Sequence, residues 1–133
     1  MVTSSVDRNR EDASAEQTAA ALTPAMFHIL LALAKGKSHG YGIMRFVAGV
    51  TGGAMHLGPG TLYRSIQRMV VDGLIEELDI ALHDEADDDR RRHYRLTKKG
   101  LAVARLEAQR LAVLVDVARD CHLLPKRSKE GRP

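Results

Sequence analysis

Residues 90 to 100 read Arg-Arg-Arg-His-Tyr-Arg-Leu-Thr-Lys-Lys-Gly, four arginines and two lysines in eleven positions. Cationic groups at that density suit one chemistry above others, the neutralisation of phosphates along a nucleic-acid duplex. A second polar and basic set lies upstream, where residues 60 to 69 read Gly-Thr-Leu-Tyr-Arg-Ser-Ile-Gln-Arg-Met. Thr61, Tyr63, Arg64, Ser65, Gln67 and Arg68 can reach base edges or phosphates from one helix. Arg matches the paired acceptors of guanine, and Gln matches the donor and acceptor of adenine. The bland alternative is the solvated face of a surface helix. Which residue would read a base and which would grip the backbone stays open. Tyr63 can hydrogen-bond a phosphate or tuck its ring against a neighbouring helix, and the phosphate is the expected partner. Tyr41 has the same two options with no preference between them.

These side chains need elements to position them. Thr23 and Pro24 open a first helix as N-cap and first helical residue. Met26, Phe27, Ile29, Leu30, Leu31 and Leu33 cover more than one face of it, so it is largely buried, and Gly36 ends it. Ser38 is placed to cap a second helix, which Gly49, Gly52 and Gly53 break. Pro59 starts a third, whose Leu62, Ile66, Met69 and Val70 form one inward stripe, with Gly73 as its C-terminal cap. Residues 74 to 78 begin a strand, and residues 92 to 96 return it across an acidic turn. Thr97 then caps a long helix reaching about Leu123.

The expected fold is mainly α with a small β-hairpin, a winged helix-turn-helix followed by a long C-terminal dimerisation helix. Residues 1–20 are expected to be a disordered arm, partly helical near its end; 21–96 the winged DNA-binding domain; 97–124 the dimerisation helix; 125–133 a basic flexible tail. The long helix carries two apolar stripes, one through Leu101, Ala104, Ala108, Leu111, Val115 and Ala118, the other through Val103, Leu106, Val113 and Val117, with Leu114 between them. Docking on one domain uses one stripe. The other predicts a partner, and a second copy of the chain is the simplest, through Leu101, Ala104, Ala108, Leu111, Leu114, Val115 and Ala118.

The wing holds a conflict. Residues 84 to 89, Asp-Glu-Ala-Asp-Asp-Asp, would repel phosphates, whereas Arg90, Arg91 and Arg92 attract them. Either the carboxylates pair with those arginines and restrain nonspecific binding, or the tip points away from DNA and only its base makes contact. Lys98 and Lys99 sit at a helix start, where the macrodipole disfavours cations, which hints at phosphate contact.

Composition excludes other classes. The net charge is +3, Trp is absent, and only three Tyr and two Phe are present, too few for stacking on single strands. No apolar run approaches the roughly 20 residues of a membrane span, and the N-terminus lacks the apolar core of a secretory signal. The single cysteine, Cys121, cannot form an internal disulfide and suits a reducing compartment; it is either a small buried hydrophobe or a redox switch near its symmetry mate. The expectation is a soluble cytoplasmic protein without membrane association. The six histidines show no i, i+4 pair, so neither a metal nor any other cofactor is expected. No phosphate loop, metal motif or nucleophile elbow is present, so no catalytic residues are assigned and the protein is not expected to be an enzyme.

Three segments, in order and at this spacing, resemble the PadR-type transcriptional regulators. They are Leu22-Thr23-Pro24 with the later His39-Gly40-Tyr41-Gly42-Ile43, then Pro59-Gly60-Thr61-Leu62-Tyr63 through Asp72-Gly73-Leu74-Ile75, then residues 91 to 100. The match covers about Leu22 to Leu123 and is similar to the small subgroup with a single C-terminal helix. The resemblance implies a homodimeric bacterial repressor working on the nucleoid. It also implies an inverted-repeat operator, a C-terminal helix swapped across the dimer, and release by a small-molecule effector. Arg64 stands where the family often has Pro, Val70 and Val71 replace commonly charged residues, and no Trp is available to stack on a flat aromatic drug.

The combined expectation is a sequence-specific regulator of double-stranded DNA, with Tyr41, Thr61, Tyr63, Arg64, Ser65, Gln67, Arg68, Arg90, Arg91, Arg92, Lys98 and Lys99 as candidate contacts. An effector pocket is expected around Phe27, Leu111, Leu114 and Val115, unless these form a packed core. The alternative is a winged-helix module that binds protein, with Val70 and Val71 in its apolar patch.

Overall fold

A computed structural model of the chain describes residue 10 and residues 13–78 and 92–126. The elements are α1 (Ala13–Ala20), then α2 (Pro24–Ala34), β1 (Ser38–His39), α3 (Gly40–Val50), α4 (Pro59–Val71), β2 (Ile75–Leu78), β3 (His93–Leu96) and α5 (Lys98–Asp120).

α2 forms where expected. The Thr23 hydroxyl accepts the Met26 amide at 3.1 Å, and Pro24 occupies the first turn. Its buried Ile29, Leu30, Ala32 and Leu33 place it at the centre, packed against α3, α4, α5 and β3. The sequence expectation for residues 1–20 is a disordered arm partly helical near its end, and α1 is a helix there that also docks on the domain. Ala15 and Ala19, four apart on one helical face, are buried in the same core. Two methyl groups give too weak an apolar period to announce a docked helix.

The sheet is three-stranded and antiparallel in the order β1-β3-β2, so β3 lies in the middle. Glu76 pairs with Arg95, and Glu77 with Tyr94. β1 is absent from the sequence expectation; two residues are too few to show alternation. It pairs Ser38 with Tyr94 and His39 with His93. As a result α3 begins at Gly40 and not at Ser38. Its cap is His39, whose Nδ1 accepts the Gly42 amide at 3.0 Å.

α4 is joined to α5 by a tight construction. The Leu74 amide donates to the Met69 carbonyl at 2.8 Å and the Gly73 amide to the Val70 carbonyl at 3.1 Å, a Schellman closure with Gly73 at φ 78°. The Thr97 hydroxyl caps α5 by accepting the Gly100 amide at 3.0 Å, and it donates to the Gly73 carbonyl. A Cβ at Gly100 would collide with the Leu74 carbonyl, so the first turn of α5 lies directly on the end of α4.

α5 ends at Asp120, three residues short of the expected end, with Cys121 as C-cap and His122 at φ 63°. Cys121 is exposed, which overturns its reading as a small buried hydrophobe. Among the described residues no single helix is long and apolar enough to cross a membrane.

Candidate nucleic-acid interface

α4 is amphipathic, with Leu62, Ile66 and Met69 buried against the core. Positions turn by about 100° each, which leaves Thr61, Arg64, Gln67 and Arg68 exposed and Ser65 half-buried. The N-terminus of α4 is capped by Gly58 without a side-chain hydrogen bond, and no acidic residue occupies its first turn. Its positive dipole end is therefore unneutralised and suits a phosphate.

The Tyr63 ring packs on the start of α3. A Cβ on Gly40 would lie 2.5 Å from its hydroxyl and 3.1 Å from Cζ, so the absence of a side chain at Gly40 lets the ring cross the start of α3. The ring remains 46% exposed, and its rim still faces the same side as Gln67.

Tyr41 is exposed on α3. It stacks on His39 with centroids 6.5 Å apart, and the Arg45 guanidinium lies 5.8 Å from its ring. His39 meets His93 edge-on at 5.3 Å. Sequence reasoning missed Arg45, Lys37 and the two histidines as neighbours of this surface. The cue was available, since Lys35 and Lys37 flank Gly36 immediately before Ser38 and His39. Lys35 is already placed over the Phe46 ring at 5.5 Å.

The base of the wing is laced with ion pairs. Arg95 meets Glu76 at 3.0 Å, and Arg92 meets Glu77 at 3.8 Å. Tyr94 is buried between them, and burial, reinforced by the Glu77 carboxylate, holds its phenol above the usual range. Arg92 remains largely exposed. Arg90, Arg91 and the acidic segment 84–89 lie outside the described residues, so both readings of the wing tip stay open.

The two lysines separate. Lys98 is exposed. Lys99 turns back, and its ammonium donates to the Asp72 carbonyl at 3.1 Å, closing the C-terminus of α4. Arg68 meets Asp72 at 3.2 Å in the same turn. For Lys99 the fold thus supplies a structural reason for a cation that its own helix start disfavours.

On α5, Val103 and Ala104 are buried within this chain, which removes Ala104 from the set able to meet a second copy. Leu101, Leu114 and Val115 are exposed, as are Val113 and Val117. Ala108 is also exposed, and Leu111 and Ala118 are half-buried. Glu107 carries no sequence signal of its own, yet it is buried and held by Arg110 through hydrogen bonds of 2.7 and 2.6 Å. Those bonds outweigh its burial and lower its carboxyl below the ordinary range. Phe27 is half-buried, and the cavities beside α1, beside Tyr63 and beside Gly36 have other linings, so none of them is the expected effector pocket. Among the described residues no cluster of three or more His, Cys, Asp or Glu stands ready for a metal ion.

A short helical unit in which α4 is amphipathic and cation-bearing, with an antiparallel strand pair beside it whose glutamates and arginines pair, defines a winged-helix DNA-binding protein. The profile of the transcriptional regulator PadR-like family matches residues 29–108. That is more than half of the 133 residues, and the chain belongs to this family. It is a DNA-binding transcriptional regulator and not an enzyme.

Solved structures agree on the fold. A PadR family transcription regulator from Clostridium difficile R20291 superposes with a TM-score of 0.61 at 22% identity, over 74% of this chain and 97% of that one. A transcriptional regulator from Clostridium thermocellum gives 0.60 at 23%, over 72% and 87%. RosR of H. salinarum gives 0.52 at 27%, over 78% and 97%. Among curated proteins none matches the chain.

Proposed function

We propose that the protein is a homodimeric repressor that lays α4 of each copy in successive major grooves of an inverted-repeat operator. The observation that carries this is the uncovered distal half of α5. From Ala108 to Asp120 no residue is buried, while Val113, Leu114, Val115 and Val117 are exposed. An apolar face of that length on a domain of this size calls for a partner of its own kind. Twofold pairing through Leu101, Ala108, Leu111, Leu114, Val115 and Ala118 would present two α4 helices, and their half-sites would need centres about 34–36 Å apart.

On each half-site Arg64 and Gln67, at the middle of the outer face, are assigned to bases. Thr61, Ser65 and Arg68 flank them toward one backbone strand. Tyr41, Arg92 and Lys98 are assigned to phosphates, as is the exposed rim of Tyr63. Arg90 and Arg91 belong to the same set by sequence. A small-molecule effector would bind where Phe27, Leu111, Leu114 and Val115 meet their symmetry mates, and would release DNA by changing the spacing of the two readers.

Selection of bound duplexes from a random pool with the full chain tests the reading, alongside sedimentation. An inverted repeat and a mass of twice 14.6 kDa are expected; a monomer, or a pool with no enriched sequence, rejects it. A protein-binding module is the second reading, favoured by Val71, which is 78% exposed at the end of α4. Retention on heparin that falls steeply with salt rejects that alternative, and a flat response supports it.

A further inference from the structure

We propose that Val71 is a specificity-determining residue, which reads a thymine through its 5-methyl group about three base pairs from the base that Arg64 meets. The proposal rests on α4 as the reader of the operator and extends that reading. Val71 is the last residue of α4 and, at 78% exposed, the most exposed large apolar side chain among the described residues. A single exposed valine is ordinary on a protein surface, so its place on the helix carries the argument. Arg64, Gln67, Arg68 and Val71 stand at i, i+3, i+4 and i+7, all exposed, on one stripe of α4. From Arg64 to Val71 the helix rises about 10.5 Å, roughly three steps of 3.4 Å along a duplex.

A helix C-terminus carries partial negative charge, which would hold this end off a polyanion. In α4 that charge is answered. The Gly73 and Leu74 amides close the Val70 and Met69 carbonyls, and the Lys99 ammonium donates to the Asp72 carbonyl. The Asp72 carboxylate is paired with Arg68 at 3.2 Å. The cavity beside Val70, between α4 and the wing, is lined by Gln67 and Arg92 as well. A wing cation assigned to phosphate therefore borders this end of the helix.

The chemistry of Val71 selects its target. Its side chain has no donor or acceptor, so it cannot pair with the polar edges of adenine, guanine or cytosine. In the major groove thymine alone presents a methyl group, which an apolar side chain can cover. That contact removes apolar surface from water on both partners. The gain vanishes with deoxyuridine, which keeps every hydrogen-bonding group of thymidine and lacks only the methyl. Val70 lies about 100° round the helix, toward the wing cavity, and serves as the control.

The test uses the full chain and the operator enriched from a random pool. Each thymidine is replaced by deoxyuridine, symmetrically in both half-sites. Affinity is read by fluorescence anisotropy for the unsubstituted protein, Val71→Ala and Val70→Ala. At one position the replacement should weaken the unsubstituted protein by about fourfold per half-site, the worth of one buried methyl. There it should weaken Val71→Ala, which withdraws both valine methyls, by less than about twofold, because the two changes remove one contact. Val71→Ala should show its own loss on the thymidine operator and almost none on the deoxyuridine one, with an unchanged urea midpoint. Val70→Ala should respond to the replacement as the unsubstituted protein does. No thymine with this behaviour, an equal loss for Val71→Ala on random duplex, or the same coupling in Val70→Ala each overturn the proposal. So does unchanged operator affinity in Val71→Ala, which would leave the valine to a protein partner. A pool with no enriched sequence removes the reader role of α4 and Val71 with it, whereas an enriched operator without such a thymine removes Val71 alone.

Discussion

α4 and the distal half of α5 both present a face that their own domain leaves uncovered, and the two faces are chemically opposite. On α4 the exposed positions are Thr61, Arg64, Gln67 and Arg68. On α5 they are Val113, Leu114, Val115 and Val117. The first face is at ease in water and gains only when a polyanion arrives. The second costs free energy for every exposed patch, about 25 cal/mol per Å², and so needs a permanent partner. Salt should therefore weaken what binds α4 and leave what binds α5 intact. One helix type serves a transient and a constitutive contact, distinguished by side chains alone.

The largest effect is expected where the two regions are joined. Gly100 lies against the Leu74 carbonyl, so a methyl there must push the start of α5 off the end of α4. Gly100→Ala should cost about 3 kcal/mol, at the upper end of ordinary overpacking, read by urea unfolding. A cost under about 1 kcal/mol would mean that α5 can shift without consequence. Next comes the apolar face itself. Leu114→Glu with Val115→Glu should yield monomers by sedimentation, with the domain still folded. Operator affinity should fall by roughly a hundredfold, because each copy then binds its half-site alone. A dimer that survives both charges would place the interface elsewhere.

The charged face gives smaller and graded effects. Arg92→Ala and Lys98→Ala should each lower the dependence of log affinity on log salt by about one unit, the amount that one neutralised phosphate contributes. Lys99→Ala is the contrasting case. Its ammonium closes α4 at the Asp72 carbonyl, so it should lower thermal stability and leave the salt slope nearly unchanged. An equal change in slope for Lys98 and Lys99 would put both at the duplex.

The architecture could be read from the chain because its strongest signals are local. Pro24 and Pro59 begin helices, Thr23 and Thr97 cap them, Gly73 ends α4, and the stripe Leu62-Ile66-Met69 faces inward. What escaped reading depends on contacts between distant segments. β1 exists because Ser38 and His39 find Tyr94 and His93. Tyr63 packs on Gly40 because α3 and α4 cross there. Lys99 has the look of a phosphate ligand in the sequence, and only the fold brings the Asp72 carbonyl within 3.1 Å of it. Ala104 belongs to a plausible heptad, yet the domain buries it. Periodicity shows that a face is apolar, but not which of two partners will cover it.

Glu107 marks the boundary between those two partners on α5, and it gives the smallest and most selective prediction. Toward its N-terminus the helix is buried by its own domain at Val103 and Ala104; beyond it no residue is buried. The carboxylate is itself buried, and its hydrogen bonds to Arg110 hold its pKa below the ordinary Glu range. A lowered folded-state pKa gives stability that is fully present above the unfolded value, about 4.3, and vanishes as pH falls through the folded value. Arg110→Met keeps the aliphatic stem and removes the partner. It should destabilise the protein at about pH 7, where a bare buried carboxylate remains, and much less at about pH 3, where a protonated Glu107 needs no cation. Glu107→Gln should flatten the acid limb of the stability curve in the same way. A pH-independent destabilisation in Arg110→Met would show that the arginine acts through packing alone, and would move the inner boundary of the partner face toward the N-terminus of α5.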